Sequence, residues 1–464
     1  MAERFDVAII GAGPGGLSAA ANAAHHKLSH ILLEKGEIAN TIREYQLKKH
    51  VMAEPAKLPL RSHMEFKPGT REDVLESWIK VVQDANINVR QRTQVAKIEK
   101  IDSGFKVFFG NEHITCKSII LAIGAMGISR PMEAPGSDLP HVTLRLADPG
   151  AFEDEDIIVV GAGDAAIENA LALAPKNRVS IINRKDEFAR AKDANAALIK
   201  DAIDSGKIRC YYNSTVARIE PQQIAINTAD GEVVSNCTHL IARLGGVMPR
   251  KFLEDCGVKF PSSDPAAVPV VDSRYESNVK GLYLVGSLIG YPLIKQAINQ
   301  GYEVIEHILG NSIEPSDQVL IEEKLKLLPG SAKQNLEMIR ESLPLFFELS
   351  EPQFRELISE SVVHVKKEGE LIFQRNDFTD TFFSIISGSV KVELPDKKFV
   401  EIQAGNFFGE MGLLSGRRRC ATVYMEKAGL LLETPRKRML KLICSAESVK
   451  QALDEIYILR ALQT

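Results

Sequence analysis

The stretch FDVAIIGAGPGG, residues 5–16, decides the fold of the first part of this 464-residue chain. FDVAII is a continuous apolar run, as in strands that are buried on both faces of a parallel sheet. A turn with Gly11, Gly13 and Gly16 follows directly, then a helix LSAAANAAHH and a second strand HILLEK, whose acid is Glu34. The order strand, glycine turn, helix, strand and acid predicts a Rossmann-like unit that binds a dinucleotide.

The glycines and the acid of such a unit each have a physical role. Gly11 allows the tight turn, Gly13 lets the main chain approach a pyrophosphate, and Gly16 lets helix and strand pack closely. The N-terminus of the helix offers amide donors and a positive dipole end to the phosphates. Glu34 would accept hydrogen bonds from an adenosine ribose and would repel a 2′-phosphate. The alternative is a glycine turn without a ligand.

The same pattern recurs in IIVVGAGDAAIENALAL, which begins at residue 157. Gly161 and Gly163 repeat the roles of the first two glycines, and Ala166 takes the third position. Two more residues of this turn, Asp164 and Ala165, would also lie beside a bound dinucleotide. The sequence therefore predicts a second Rossmann-like unit.

The second strand of this unit ends differently, because Asn183, Arg184 and Lys185 stand in place of an acid and Arg190 follows. A cluster of cations at the edge of the ribose suits a 2′-phosphate, so this unit is predicted to bind NADPH. The alternative is a solvated basic turn without a ligand.

Two later stretches return to the first unit. KSIILAIGA (117–125) and GLYLVGS, which begins at residue 281, are buried strands followed by glycine turns. We therefore predict an FAD domain, 1–125 and 246–312, that is interrupted by an NADPH domain, 126–245. The proline-bounded segment 313–335 is predicted to be a linker helix with Asp317 at its start, and 336–464 is predicted to be a further domain.

The motifs GAGPGG, LAIGA, GAGDAA, NRKDEFAR and GLYLVGS…KQA resemble those of the thioredoxin reductase-like flavoproteins, over two thirds of the chain. The resemblance implies an α/β fold, FAD and NADPH, hydride transfer from nicotinamide to flavin, a rotating NADPH domain and a homodimer. It implies FAD-binding residues at Gly11, Gly13, Pro14, Gly15, Gly16, Glu34, Lys35, Val95, Ala122, Gly124, Gly286, Ser287, Gln296 and Ala297.

Three departures from that family affect the electron acceptor. The chain has no C-x-x-C dithiol, Gly286-Ser287 replaces the usual Gly-Asp, and Gly15 stands where the bacillithiol-disulfide reductase branch has a cysteine. Thioredoxin is therefore not the expected acceptor; a ferredoxin, a quinone, another protein or a small oxidant is. No catalytic side chain is predicted, because the flavin carries the chemistry, and Cys210, Cys237 and Cys256 are interpreted as small core residues.

Composition limits the other possibilities. Net charge is −4, which gives no general attraction to nucleic acid or to an anionic membrane. No apolar run approaches the ~18 residues of a membrane-spanning helix, and MAERFDVAII does not resemble a cleavable leader. The six cysteines are scattered, which favours a reducing compartment and no metal site. We expect a cytoplasmic protein.

From residue 336 onwards, two short amphipathic helices precede short alternating β segments, which predict a β-roll or jelly-roll-like barrel closed by a last helix. Within the barrel lies FFGEMGLLSGRRRCATV, residues 407–423. Gly409, Glu410 and Met411 can open a helical turn whose amides face an anion, and Arg419 can make a bidentate contact with a phosphate. An acid beside an arginine suits a ligand with both ribose and phosphate.

This stretch resembles the phosphate-binding cassette of cyclic-nucleotide-binding domains, F-G-E-x-x-L-x(n)-R-x-A-T-V, with matches at Phe408, Gly409, Glu410, Leu413, Arg419, Ala421, Thr422 and Val423. The resemblance implies that Glu410 holds the 2′-hydroxyl group and Arg419 the cyclic phosphate, with the Cys420 and Ala421 main chain beside it. Cys420 replaces the Thr or Ser of guanine-selective relatives, which favours cAMP over cGMP.

Other residues near the cassette remain open. Arg417 and Arg418 are expected to lie in solvent at the tip of the loop. Tyr457 either covers the base as a lid or packs on the barrel. The chain ends at Thr464, so we expect no helix-turn-helix and no DNA binding.

Three functions fit the sequence. The first is an NADPH-dependent FAD oxidoreductase regulated by a cyclic nucleotide. The second is a signalling or scaffold protein whose flavin reports redox state without turnover. The third is a ferredoxin reductase of the same fold.

Overall fold

A computed structural model of the chain describes residues 3–125, 130–189, 191–265, 267–378, 381–394, 397–411 and 418–461, with the main chain alone at 444 and 461. Arg190, Leu413 and Arg417, which were considered above, lie outside these residues. No helix in this part of the chain combines the length and the apolar character that a membrane crossing requires.

The stretch FDVAII forms the central strand of the first sheet. In the described residues this sheet has seven strands: β1 Arg4–Ile10, β2 His30–Leu33, β5 Val89–Arg90, β6 Val95–Ile101, β7 Gly104–Phe109, β8 Glu112–Leu121 and β17 Leu282–Leu284. Their order is β5-β2-β1-β8-β7-β6, and β17 pairs in parallel with β8. Val7 and Ala8 point to opposite faces and both are fully buried, which explains the continuous apolar run.

Helices cover this sheet, and a short hairpin lies beside it. Their bounds are α1 Pro14–His25, α2 Asn40–Arg43, α3 Arg71–Asp84, α6 Arg250–Asp255, α7 Ile294–Ile308, β3 His50–Val51 and β4 Gly69–Thr70. A Cβ atom at Gly301 would lie 2.0 Å from the Gly15 carbonyl oxygen, so α1 and α7 cross in close contact there. A 3₁₀ turn, Gly286–Ile289, connects β17 to α7.

A second sheet is inserted between β8 and β17, as predicted. Of the described strands, five form it in the order β12-β11-β10-β16-β9, all parallel: β9 Val142–Thr143, β10 Asp156–Val160, β11 Arg178–Ile182, β12 Ile208–Tyr211 and β16 His239–Ala242. An antiparallel meander lies beside it: β13 Thr215–Glu220, β14 Gln223–Thr228 and β15 Gly231–Asn236. Its helices are α4 Asp164–Leu173 and α5 Asp193–Asp204, with a 3₁₀ turn at Pro149–Ala151.

The C-terminal part is an antiparallel β-roll with helices at both ends, as predicted. Its described strands are β18 Val362–Lys366, β19 Leu371–Phe373, β20 Thr381–Glu393, β21 Phe399–Gln403, β22 Phe407–Phe408 and β23 Thr422–Pro435. Its described helices are α8 Gln318–Leu325, α9 Ala332–Ser342, a 3₁₀ turn Pro344–Phe346, α10 Glu351–Glu360, α11 Arg436–Ser445 and α12 Glu447–Ala461. Ile321 and Leu325 of α8 share one apolar core with α9 to α12.

The start of the predicted linker helix differs from the expectation in one respect. Asp317 occupies the N-cap of α8, but its side chain makes no capping hydrogen bond. Its carboxylate instead accepts a hydrogen bond of 2.9 Å from Nε of Arg355 on α10. A charged guanidinium is a stronger partner than a main-chain amide, so tertiary contact replaces the local cap. The domain boundaries at 125, 245, 312 and 335 stay predictions.

Candidate nucleotide-binding sites

The first glycine turn has the shape that a pyrophosphate requires. Gly11 has φ +100°, and a Cβ atom there would lie 2.7 Å from the carbonyl oxygen of Ala122 on the neighbouring strand segment. At Gly13 a Cβ atom would meet only that oxygen, at 3.9 Å. The main chain before α1 therefore faces open space, with Pro14 at the first helical position, where its missing N–H costs nothing. A phosphate group fits this cradle.

The acid at the end of β2 is fixed beside that turn. Glu34 is 6% exposed, and its two carboxylate oxygens accept hydrogen bonds from the amides of Ala12 (2.7 Å) and Gly36 (2.8 Å). Lys35 is exposed, while Val95 begins β6 two residues after Thr93, whose amide donates to the Glu34 carbonyl oxygen. Each carboxylate oxygen of Glu34 retains a lone pair beyond these two bonds, and its role towards a ribose stays a prediction.

The residues around Gly286 meet the LAIGA turn after the carboxyl ends of the parallel strands β17 and β8. The Oγ atom of Ser287 accepts a hydrogen bond of 2.9 Å from the Ala125 amide, and a Cβ atom at Gly124 would lie 3.5 Å from that oxygen. Ala297 lies beside Gly286. Ser287 therefore ties two segments together and keeps its own proton for donation.

Gln296 supports the fit of a bound molecule in this region. Its Oε1 atom is buried and has no hydrogen-bond partner among the described residues. Such an acceptor is costly unless a donor reaches it, and a donor group of a flavin would satisfy it.

Gln300 was not predicted, although it lies one helical turn after Gln296 on the same face of α7. Its Oε1 accepts a hydrogen bond of 2.7 Å from the Gly286 amide and fixes the 3₁₀ turn.

Gly15 lies where the bacillithiol-disulfide reductase branch has a cysteine. A Cβ atom there would lie 3.0 Å from Val285 Cγ2 and 3.1 Å from the carbonyl oxygen of Ala297. The contact of α1 with α7 therefore leaves little room for any side chain. Gly16 is tighter still, because its Cβ would lie 1.8 Å from the Gly11 carbonyl oxygen.

The second glycine turn repeats the cradle. A Cβ atom at Gly161 would lie 2.3 Å from the Arg243 carbonyl oxygen, whereas one at Gly163 would meet nothing within 4 Å. Ala166 is buried against the strand, and Ala165 is half-buried. The Asp164 side chain bonds to the start of α5, because its Oδ1 atom accepts hydrogen bonds of 2.8 Å from the Lys192 amide and from Nδ2 of Asn195.

The loop after β11 presents its cations to solvent. The side chains of Arg184 and Lys185 are exposed, whereas Asn183 is 2% exposed. The Asn183 side chain donates to the Glu187 carbonyl oxygen at 2.9 Å and accepts from the Lys185 amide at 3.0 Å. Asn183 thus shapes a turn that carries two solvent-exposed cations.

The arginine of the C-terminal cassette is buried within the β-roll. Arg419 is 3% exposed; its Nη2 donates to Thr381 Oγ1 at 3.1 Å, and its guanidinium lies 3.9 Å above the Phe373 ring. Burial lowers the pKa of this side chain to about 10, so it stays charged at neutral pH. Its Nη1 donates to the Gly409 carbonyl oxygen at 3.3 Å. A buried guanidinium has lost most of its hydration, and a phosphate could take the place of that water as its partner.

Glu410 lies beside this arginine and is already engaged. It is 2% exposed, and its Oε2 atom accepts a hydrogen bond of 2.8 Å from Nη1 of Arg460 on α12. Phe408 is buried and stacks on Phe383, with ring centroids 5.2 Å apart. Three other residues predicted to bind the nucleotide are more open, because Met411 and Ala421 are half-buried and Cys420 is exposed, whereas Val423 is buried.

Arg460 was missed by the sequence reasoning, which singled out Tyr457 on the same helix. Tyr457 is half-buried, and Arg460 follows it by three residues, one helical turn farther along. The three-residue spacing from Tyr457 places Arg460 on the same side of α12, and this spacing could have identified Arg460 as a site residue.

Four of the described cysteines are poor nucleophiles. Burial raises the pKa of the thiols of Cys116, Cys237 and Cys256 to about 12 and that of Cys210 to about 11. All four thiols are therefore protonated at neutral pH; of the three that were interpreted as small core residues, Cys237 is buried, whereas Cys210 and Cys256 are half-buried.

The fold and its two glycine turns define an oxidoreductase class with two dinucleotide-binding domains. The chain belongs to the pyridine nucleotide-disulphide oxidoreductase family, whose model matches residues 8–286. The model of the cyclic nucleotide-binding domain matches residues 363–445. Both resemblances predicted from the sequence are thereby confirmed.

Individual relatives cover the first two thirds of the chain. A ferredoxin–NADP reductase of Ignicoccus hospitalis is 26% identical over 64% of this chain and 94% of its own length. The bacilliredoxin reductase of Bacillus subtilis is 25% identical over 60% and 88%. The solved bacillithiol disulfide reductase from Staphylococcus aureus shares the fold, with a TM-score of 0.60 and 21% identity over 66% of this chain and 99% of its own.

Proposed function

We propose that this protein is an NADPH-dependent FAD oxidoreductase whose activity is regulated by a cyclic nucleotide bound to its C-terminal domain. The observation that carries the proposal is the opposite charge at two otherwise similar cradles. Glu34 is held beside the first glycine turn, whereas Arg184 and Lys185 follow the second. A carboxylate suits the plain ribose of FAD, and cations suit the 2′-phosphate of NADPH.

The residues of the first domain would hold FAD and leave the electron chemistry to the flavin. The main chain at Gly13 and the N-terminus of α1 would bind the pyrophosphate. The buried Oε1 atom of Gln296 would accept a hydrogen bond from the flavin, and the Ser287 hydroxyl proton would remain available to it. Hydride would pass from nicotinamide to flavin, and the thiols of Cys116, Cys210, Cys237 and Cys256, which stay protonated, would take no part.

The C-terminal domain would bind a 3′,5′-cyclic nucleotide through two charged side chains. Arg419 would contact the cyclic phosphate, and Glu410 would accept a hydrogen bond from the ribose 2′-hydroxyl group. Because Glu410 already accepts from Arg460, the ligand would compete for that carboxylate and disturb the last helix. The thiol of Cys420 favours cAMP over cGMP, since it donates hydrogen bonds more weakly than the hydroxyl of Thr or Ser.

The electron acceptor is proposed to be a ferredoxin or another protein. Support comes from the ferredoxin–NADP reductases of Ignicoccus hospitalis and Pelagibacter ubique among the relatives, and from the lack of a C-x-x-C pair in the sequence. A true ferredoxin reductase is thus the second candidate. The homodimer that the resemblance implies belongs to the same proposal, and so does the cytoplasmic location that the composition predicts.

Anaerobic reduction of the purified flavoprotein tests the proposal. NADPH should bleach the flavin absorbance faster than NADH does, and Arg184→Gln/Lys185→Gln should remove that difference without slowing NADH. A flavin that neither coenzyme reduces would reject the enzyme and favour the redox-reporting scaffold. A panel of ferredoxins added to the NADPH-reduced protein would then distinguish a ferredoxin reductase from an enzyme with another acceptor.

A further inference from the structure

The helix that follows the β-roll begins with an unusual concentration of positive charge. The first three residues of α11 are Arg436, Lys437 and Arg438, and its first turn contains no acid. Cations in this position oppose the helix dipole, which favours acids at the N-terminus. Local helix stability therefore does not explain the three side chains, and their partners lie elsewhere in the protein.

Two of these side chains reach the loop that follows β11. Nη1 of Arg436 lies 3.6 Å from Oε1 of Glu187, and both side chains are half-buried. Nζ of Lys437 donates to the Ala191 carbonyl oxygen at 3.4 Å. Glu187 and Ala191 belong to the segment that carries Arg184 and Lys185. The cyclic-nucleotide-binding domain thus contacts the loop proposed for the 2′-phosphate of NADPH.

The charge of Glu187 gives these contacts a consequence for coenzyme choice. Asn183 closes the turn by its bond to the Glu187 carbonyl oxygen, which keeps this acid next to the two exposed cations. The negative charge of Glu187 would repel a phosphate bound at Arg184 and Lys185, and the positive charge of Arg436 offsets it. Lys437 fixes the far end of the same segment at Ala191.

The rest of α11 is anchored firmly enough to hold the loop in place. Nη1 of Arg438 and Nζ of Lys441 lie 2.6 and 2.7 Å from the two carboxylate oxygens of Glu356 on α10. Lys441 also donates to the carbonyl oxygen of Gly290, just after the 3₁₀ turn of the first domain. The helix therefore spans from the flavin-side turn to the loop of the second domain.

We infer that Arg436 and Lys437 are positioning residues for NADPH, supplied by the cyclic-nucleotide-binding domain and selective for the 2′-phosphate. This inference rests on the proposed function, because it assigns the loop after β11 to that phosphate. NADPH affinity then depends on where the C-terminal domain holds α11, whereas NADH affinity does not.

The test compares coenzyme affinities of the full-length flavoprotein and of Arg436→Gln/Lys437→Gln. Titration with NADP⁺ should show binding weakened by about three- to tenfold, as for the loss of partly exposed charge contacts, with NAD⁺ binding unchanged. The KM for NADPH should rise by the same factor, with kcat changing less than about twofold. The charge-preserving Arg436→Lys/Lys437→Arg variant should recover most of the NADP⁺ affinity.

Lys450→Gln is the matched control, because it removes an exposed cation from the neighbouring helix α12 and leaves the anchors of α11 intact. It should leave the ratio of NADP⁺ to NAD⁺ affinity unchanged. Equal NADP⁺ affinity of wild type and Arg436→Gln/Lys437→Gln would overturn the inference, and so would a parallel loss of NAD⁺ binding. Failure of the wild-type protein to bind NADP⁺ would instead overturn the proposed function, and the inference with it.

Discussion

Replacing Gly409 with alanine should abolish most of the cyclic-nucleotide affinity while the fold survives. Gly409 has φ +88°, and a Cβ atom there would lie 2.4 Å from Nη1 of Arg419. That separation is far below a normal contact, so the guanidinium has to move. A hydrogen bond to a charged group contributes about 1.5–3 kcal/mol, so its loss should weaken cAMP binding by about 10- to 150-fold. Calorimetric titration of the full-length protein measures this directly.

Gly405→Ala provides the matched control for backbone strain. Gly405 also has a positive φ, +83°, but a Cβ atom there would meet only Ser342 and Pro344 atoms, at 3.6 and 3.7 Å. Both variants should lose about 1–2 kcal/mol of folding free energy to the left-handed conformation, yet only Gly409→Ala should lose cAMP affinity. Equal cAMP affinity in the two variants would refute the assignment of Arg419 to the phosphate.

Three further predictions concern coenzyme choice, the base and pH. Arg184→Gln/Lys185→Gln should raise the KM for NADPH by about 10- to 100-fold and leave that for NADH within about twofold, measured by steady-state reductase assay. Cys420→Thr should shift selectivity towards cGMP, measured by competition titration of the two nucleotides; an unchanged ratio would contradict the role of this position. Burial raises the pKa of Glu303 in the folded protein, so the folded state holds this proton more tightly than the unfolded state does. The free energy of unfolding should therefore fall as pH rises through that pKa. Glu303→Gln should therefore gain thermal stability relative to wild type on going from pH 5 to pH 8, and a constant difference would contradict the assignment.

Local sequence patterns predicted the parts of the sites that form within one unit. The turn at Gly11 and the acid at Glu34 follow from one strand–turn–helix–strand segment, and the sheet holds both as expected. The β-roll follows likewise from short-range alternation, and the spacing within the cassette singled out Glu410 and Arg419, which are both buried.

Local sequence patterns could not predict the contacts between segments that are distant along the chain. Ser287 accepts from the Ala125 amide across 162 positions, and Arg460 donates to Glu410 across 50. Asp317 stands at the start of α8 as expected, but its side chain pairs with Arg355 on α10 and not with a main-chain amide of its own helix. Each of these side chains is polar and ambiguous by itself, so only the packing of whole domains decides its partner.

The central claim is that a cyclic nucleotide controls flavin reduction by NADPH. The most direct test is anaerobic stopped-flow absorbance of the flavoprotein mixed with NADPH, with and without saturating cAMP. We predict that NADPH bleaches the flavin and that cAMP changes the rate, because the ligand competes for Glu410 and so disturbs α12, which shares its core with α11. Bleaching at one rate in both conditions would contradict control of this step, and no bleaching in either would contradict the assignment as an NADPH-dependent reductase.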